Sequence, residues 1–215
     1  MEVLPVINCE THKCAVERLR KVKDFSEWVH VDIGDGKFAS IVSWGTPEEW
    51  QKLLSEEEFK GLNVEFHLMI QAPETVLDAW LRTGAKRIIV HLETMTDSVY
   101  VLEKCKKHGA EAVLSIGPKT EVERLLAHEH DFKRFQILAV FPGLQGQKFQ
   151  QEALQKIKFI REKMPSAIIE VDGGINLETA KLVKDAGADI VVSASYIFES
   201  LNPKEMYNKL ANIIL

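Results

Sequence analysis

"AGADIVVS" (186–193) ends an amphipathic run on a glycine and then turns apolar and β-branched. Gly187 stands where a helix C-cap needs a left-handed residue, and the run after it has the make-up of a buried strand. The same pattern recurs at "TGAKRIIV" (83–90) and "HGAEAVLS" (108–115). Each is the helix-to-strand half of an αβ unit. Five further strand candidates fill the gaps: "VLPVIN" (3–8), "WVHVDI" (28–33), "NVEFHLM" (63–69), "FQILAV" (135–140) and "AIIEVD" (167–172). They are short and mostly apolar, as parallel strands covered on both faces should be.

Helix patterns lie between them. "VERLRKVKDF" (16–25) puts Val16, Leu19, Val22 and Phe25 on one face. "PETVLDAWLRTG" (73–84) starts on Pro73, a favoured first helical residue, and is expected to bury Val76, Leu77, Trp80 and Leu81. "NLETAKLVKDAG" (176–187) offers Asn176 as N-cap, and "NPKEMYNKLANIIL" (202–215) begins another helix at Asn202 and Pro203. Strand ends recur roughly every 26 residues, which predicts eight β-then-α units closed into a (β/α)8 TIM barrel. A doubly wound open sheet is the alternative. No linker or low-complexity stretch interrupts residues 1–215, so the expectation is one α/β domain with brief loops.

Composition narrows the partners. The formal net charge is −5 and no basic stripe stands out, which argues against nucleic acid. The apolar runs are too short for a membrane span, and "MEVLPVINCE" lacks the form of a secretory signal. Cys9, Cys14 and Cys105 are too few for a disulfide framework and read as thiols of a cytoplasmic protein. "CETHKC" (9–14), with His12 inside it, has no companions elsewhere to complete a zinc set.

A barrel carries its chemistry at the C-terminal ends of its strands. There the second strand brings His30 and Asp32, two apart and so on one face. The third brings Glu65 and His67, the fourth His91 and Glu93, and the seventh Asp172. A histidine at a strand end is more often hydrogen-bonded structure than a ligand, and His91, Glu65 and Glu93 are read as supporting residues. His30, Asp32, His67 and Asp172 together make a mixed nitrogen and oxygen set that suits one divalent ion: zinc, iron, manganese or cobalt. Spacing alone fits a buried polar cluster equally well. Three glycine-rich or small-residue stretches fall in barrel order: "VFPGLQGQKF" (140–149), "VDGGIN" (171–176) and "VSASYIF" (192–198). Loops at these positions commonly hold phosphate through backbone N–H groups.

These segments, with "HVDIGDGKF" (30–38), "FHLM" (66–69) and "GPKT" (117–120), resemble the ribulose-phosphate 3-epimerase family over essentially the whole chain. The resemblance implies a metal-dependent isomerase of the pentose phosphate pathway that interconverts D-ribulose 5-phosphate and D-xylulose 5-phosphate. It implies His30, Asp32, His67 and Asp172 as metal ligands, with Asp32 and Asp172 doubling as acid and base. It implies Asn8, Met69, Gly143, Gln145, Gly146, Gly173, Gly174, Ala194 and Ser195 as substrate- and phosphate-binding residues. Family members often form dimers or hexamers, so a homo-oligomer is expected.

The chain also departs from the family pattern. Val6 replaces the serine that follows Pro5, and Asn8 stands nearby to compensate. Gly34 replaces a methionine on the metal side and is expected to leave room. Ser40 and Ile41 lie where the family has Pro-Asn, Leu144 and Gln145 alter the glycine loop, and Ala194 replaces a glycine. Two other readings follow: an epimerase of another ketose phosphate, such as allulose 6-phosphate, or a sugar-phosphate- or metal-binding protein of low turnover. A decarboxylase would want an Asp-x-Lys-x-x-Asp array, which "DIGDGK" (32–37) does not supply.

Overall fold

The computed structural model describes residues 1–143 and 146–213. Eight parallel strands run in chain order: β1 (Glu2–Ile7), β2 (Trp28–Gly34), β3 (Asn63–Met69), β4 (Arg87–His91), β5 (Glu111–Ile116), β6 (Arg134–Leu138), β7 (Ile168–Asp172) and β8 (Ile190–Ser193). Each pairs with the next, and β8 pairs back onto β1, so the sheet is a closed barrel and not the open alternative. The helices are α1 (His12–Val22), α2 (Pro47–Leu54), α3 (Leu77–Leu81), α4 (Ser98–His108), α5 (Glu152–Lys163), α6 (Leu177–Ala186), α7 (Ser195–Phe198) and α8 (Pro203–Asn212). Between β5 and β6 the connection is a 3₁₀ helix, Val122–His128. No helix among the described residues is long and apolar enough to cross a membrane.

The helix ends follow local chemistry. Asn176 accepts from the Glu178 and Thr179 amides and completes a capping box with the Thr179 hydroxyl. Asn202 accepts from the Glu205 amide, with Pro203 in the first turn. Gly109 (φ 70°) and Gly187 (φ 112°) close α4 and α6 in the left-handed region, the role their place in the repeat predicts. The 73–84 segment departs from expectation. Pro73–Thr75 forms a 3₁₀ turn, Val76 (φ −118°) separates it from the next helix as its N-cap, and only Leu77–Leu81 is α-helical. Left-handed Ala72 (φ 53°) and the β-branched Thr75–Val76 pair account for the break. Leu77, Trp80 and Leu81 are buried as expected, while Val76 is half-buried.

Alternation divides each strand. On β2, Val29, Val31 and Ile33 face outward into the main hydrophobic cluster beneath the helices. The opposite set, His30 and Asp32, points into the barrel. Register aligns that interior: Asp32 pairs with His67, His30 with Glu65, Glu65 with Arg87, Gln136 with Glu170 and Leu138 with Asp172. On the β1–β8 side the interior is apolar, a small separate cluster of Leu4, Val6, Ile190 and Val192.

The cysteines require a correction. Cys9 and Cys14 form a disulfide with Cα atoms 5.7 Å apart, a separation within the range such bridges need. β1 delivers Cys9 at its end, and the Thr11 cap turns the chain so that Cys14 faces back from the first turn of α1. Cys105 is a free thiol, buried in α4 and pushed up by burial to about 12. In thiol titration the native protein is expected to react with none of its three cysteines, the denatured protein with one, and the denatured, reduced protein with all three. Three reactive thiols without a reductant would exclude the bridge.

Candidate active site

Asp32 organises the cleft at the C-terminal end of the barrel. Its Oδ1 lies 3.1 Å from His30 Nε2 and 3.1 Å from His67 Nδ1, and its Oδ2 accepts from Asn8 Nδ2 at 2.9 Å. Asp172 Oδ2 stands 3.4 Å from His67 Nδ1 and 3.9 Å from His30 Nε2. One ligand atom from each of the four residues falls within 4.8 Å of the other three, and all four residues are buried. Two imidazole nitrogens and two carboxylate oxygens meeting this closely fit a divalent ion, which would neutralise like charges that are costly to bury together.

Behind this set lies a second polar layer. Glu65 Oε1 is 2.7 Å from His30 Nδ1, and Glu65 Oε2 accepts from Arg87 Nη1 at 3.2 Å. Gln136 donates to Glu170 Oε1 at 2.9 Å and accepts from the Ser115 hydroxyl at 2.7 Å. Burial lowers the His30 imidazole, but hydrogen bonds to Asp32 and Glu65 outweigh it and hold the ring well above the ordinary histidine range. Burial raises Asp32, and its hydrogen bonds to both histidines overturn that and leave it far below the carboxylate range. Burial and the nearby Glu65 charge push Glu170 up to about 8. Glu170 was missed in the sequence, although it lies two residues before Asp172 on the same face.

His67 leads outward as well as inward. Its Nε2 is 2.7 Å from His91 Nε2, and His91 Nδ1 is 3.3 Å from Glu93 Oε2. Glu93 Oε1 accepts from the Gly117 amide at 2.7 Å and from the Thr120 hydroxyl. Lys156 of α5 holds the same loop by donating to the Gly117, Pro118 and Thr120 carbonyls. The supporting role read for Glu65, His91 and Glu93 matches these contacts.

Asn8, Asp32, Met69, Gly143, Gly146, Asp172, Gly173, Gly174, Ala194 and Ser195 all line one cleft, together with Val6, Leu138 and Val192. Gln145 lies outside the described residues. Gly173 and Gly174 leave no space for a side chain, whereas one at Gly146 would meet nothing within 4 Å. A side-chain carbon at Gly174 (φ 67°) would stand 2.7 Å from the Phe149 amide nitrogen, and one at Gly143 would collide with the Ser40 hydroxyl. Ser40 thus brings the β2–α2 connection against the β6–α5 loop.

The room expected at Gly34 is not there. A side-chain carbon at Gly34 would lie 2.6 Å from the Ile41 carbonyl oxygen and 3.2 Å from Ile41 Cγ1. Segment 35–42 folds back on itself, with Gly36 N donating to Ile41 O at 2.9 Å and Asp35 bridging Val42. Asp35 pins it by accepting from the Lys37, Phe38 and Gln71 amides.

Such a barrel has solved counterparts. A 3-hexulose-6-phosphate synthase from Salmonella typhimurium superposes with TM-score 0.75 at 17% identity, covering 100% of this chain and 98% of its own. That likeness concerns the fold. The family is shown by sequence: the profile of the Ribulose-phosphate 3 epimerase family matches residues 2–198, and the chain belongs to that family. Two relatives named ribulose-phosphate 3-epimerase illustrate the distance. The one from Chlamydia pneumoniae is 36% identical over 181 residues, 81% of this chain and 77% of the relative. The one from Schizosaccharomyces pombe is 30% identical over 196 residues, 91% and 86% respectively.

Burial raises the Glu93 carboxyl, and hydrogen bonds from His91, Thr120 and Gly117 outweigh it and bring it down to about 2. An unfolded glutamate titrates near about 4.3. The depressed group therefore stabilises the fold above that pH and loses its contribution as pH falls from about 4 to about 2. Glu93→Gln is expected to flatten acid unfolding in that window, and an unchanged acid limb would show the carboxylate to be unperturbed.

Proposed function

We propose that the protein interconverts D-ribulose 5-phosphate and D-xylulose 5-phosphate by proton transfer at C3. The observation that carries this reading is the placement of two carboxylates, Asp32 from β2 and Asp172 from β7, in one cleft beside a shared pair of imidazoles. Epimerisation next to a carbonyl needs one base to take the C3 proton and a second acid to return one to the other face. Asp32 lines the cleft, is held ionised by His30 and His67 and is oriented by Asn8, and it is assigned here as the carboxylate that takes the proton. Asp172 is the complementary group. His30, Asp32, His67 and Asp172 would hold the divalent ion, which when bound would supply a Lewis acid for the charge that develops on the enediolate oxygens. Gly146, Gly173, Gly174, Ala194 and Ser195 line the same cleft. With their backbone N–H groups they are the natural receivers of the phosphate.

The hexulose reading depended on space at Gly34, and Ile41 occupies that space. The loss of that room favours a five-carbon phosphorylated ketose.

Ribulose 5-phosphate incubated with metal-loaded protein in deuterated water is expected to exchange its C3 hydrogen and yield xylulose 5-phosphate, both followed by NMR. A chelator should abolish both signals. Asp32→Asn and Asp172→Asn should each slow epimerisation by about 10²–10⁴-fold; near wild-type rates would reject the acid–base assignment. Absence of exchange with metal bound would reject the substrate. Gly174→Ala, which drives a methyl into the Phe149 backbone, is expected to raise KM for the phosphorylated substrate, and an unaltered KM would remove that loop from the phosphate site.

A further inference from the structure

We propose that His91, backed by Glu93, is a positioning residue that fixes the tautomer and ring angle of His67 for metal binding. This rests on the metal reading above.

The argument is one of proton placement. His67 Nδ1 faces Asp32 and Asp172, so its lone pair is the one available to an ion. A neutral ring that ligates through Nδ1 carries its proton on Nε2. The atom facing that proton, at 2.7 Å, is His91 Nε2, which must then be the acceptor. The proton of His91 is thereby assigned to Nδ1, where it donates to Glu93 Oε2 at 3.3 Å.

The ring geometry agrees. The two ring planes are inclined by only 22° with centroids 4.9 Å apart. With nitrogens at 2.7 Å, such rings meet edge to edge, lone pair toward N–H, and not face to face. Both histidines are fully buried, and Phe38 lies over His91 with ring centroids 4.7 Å apart, so no solvent contact competes. Metal-bound histidines usually donate their second N–H to a carboxylate, a carbonyl or a water. His30 follows that habit with Glu65. His67 reaches its carboxylate through an inserted imidazole. Glu93 is in turn fixed by Gly117 and Thr120, and their loop by Lys156, so the angle of a barrel ligand is set from the outer helix α5.

The test is titration of the purified protein with Co²⁺, read by its visible d–d absorption, with Zn²⁺ competition. His91→Phe keeps the ring and removes the acceptor. It is expected to weaken Co²⁺ binding by about 10–100-fold and to change the band pattern. His91→Gln, which can present a carbonyl oxygen to His67 Nε2–H, is expected to recover most of that loss. Glu93→Gln should give a smaller decrease and serves if His91→Phe does not fold. Co²⁺ binding by His91→Phe within threefold of the wild type, or equal losses in His91→Phe and His91→Gln, would overturn the positioning role while leaving the metal site standing. No Co²⁺ or Zn²⁺ binding by the wild type would overturn the metal reading and this inference with it.

Discussion

Asp32 Oδ1 approaches His30 Nε2 and His67 Nδ1 equally, and that shared approach depends on β2 and β3 pairing in register along their full length. A one-residue slip of β2 would turn His30 and Asp32 out into the apolar layer beneath the helices, and one of β3 would do the same to His67. The register is in turn held by the outward set, Val29, Val31 and Ile33 on β2 and Val64, Phe66 and Leu68 on β3, which is packed into the main core. The hydrophobic face thus decides where the charged face points. Burial of that charged face is costly, and the structure offsets the cost with partners: Asn8 on Asp32, Arg87 on Glu65, Gln136 on Glu170.

Much of this was legible in the sequence because it is periodic. The glycine-capped helix-to-strand repeat located three strands, and alternation placed His30 with Asp32 and Glu65 with His67 on common faces. What remained hidden depends on contacts between distant segments. No local signal distinguishes a glycine that opens space from one that another loop fills, and Gly34 proved to be the latter because Ile41 returns to it. Cys9 and Cys14 looked like thiols because their count was low, yet a strand end followed directly by a capped helix brings them within bridging distance. The 73–84 segment has helical periodicity, but it divides at Val76 into a 3₁₀ turn and a short helix. In the polar layer behind the site Glu65 was read as a supporting residue, while Glu170 was visible only in retrospect, through its two-residue step from Asp172.

Two of the departures from the family pattern, Val6 and Ala194, fall on one side of the cleft. Val6 and Ala194 join Val192 where β1 meets β8, and the interior there is apolar down to Leu4 and Ile190. The opposite wall, from β2 through β7, keeps the complete set of polar residues. Substitutions on the apolar wall alter shape and wetting. Those on the polar wall would leave a buried charge unpaired, a far larger penalty. The asymmetry lets the pocket vary while His30, Asp32, His67 and Asp172 stay together.

Glu170 shows how tightly that polar wall is balanced. His30 has one proton to offer from Nδ1, and Glu65 takes it at 2.7 Å while Glu170 Oε1 stands off at 3.7 Å. Glu65 also holds Arg87, whose guanidinium lies over the Trp28 ring at 3.7 Å. Burial and the Glu65 charge push the Glu170 carboxyl up to about 8, against the opposing hydrogen bond from the neutral Gln136 amide. Of two carboxylates beside one imidazole, the one with the arginine is shifted toward its ionised form and the other toward its protonated form. Negative charge in the layer beneath the site is thereby held down, and Asp32 and Asp172 remain the carboxylates that line the cleft.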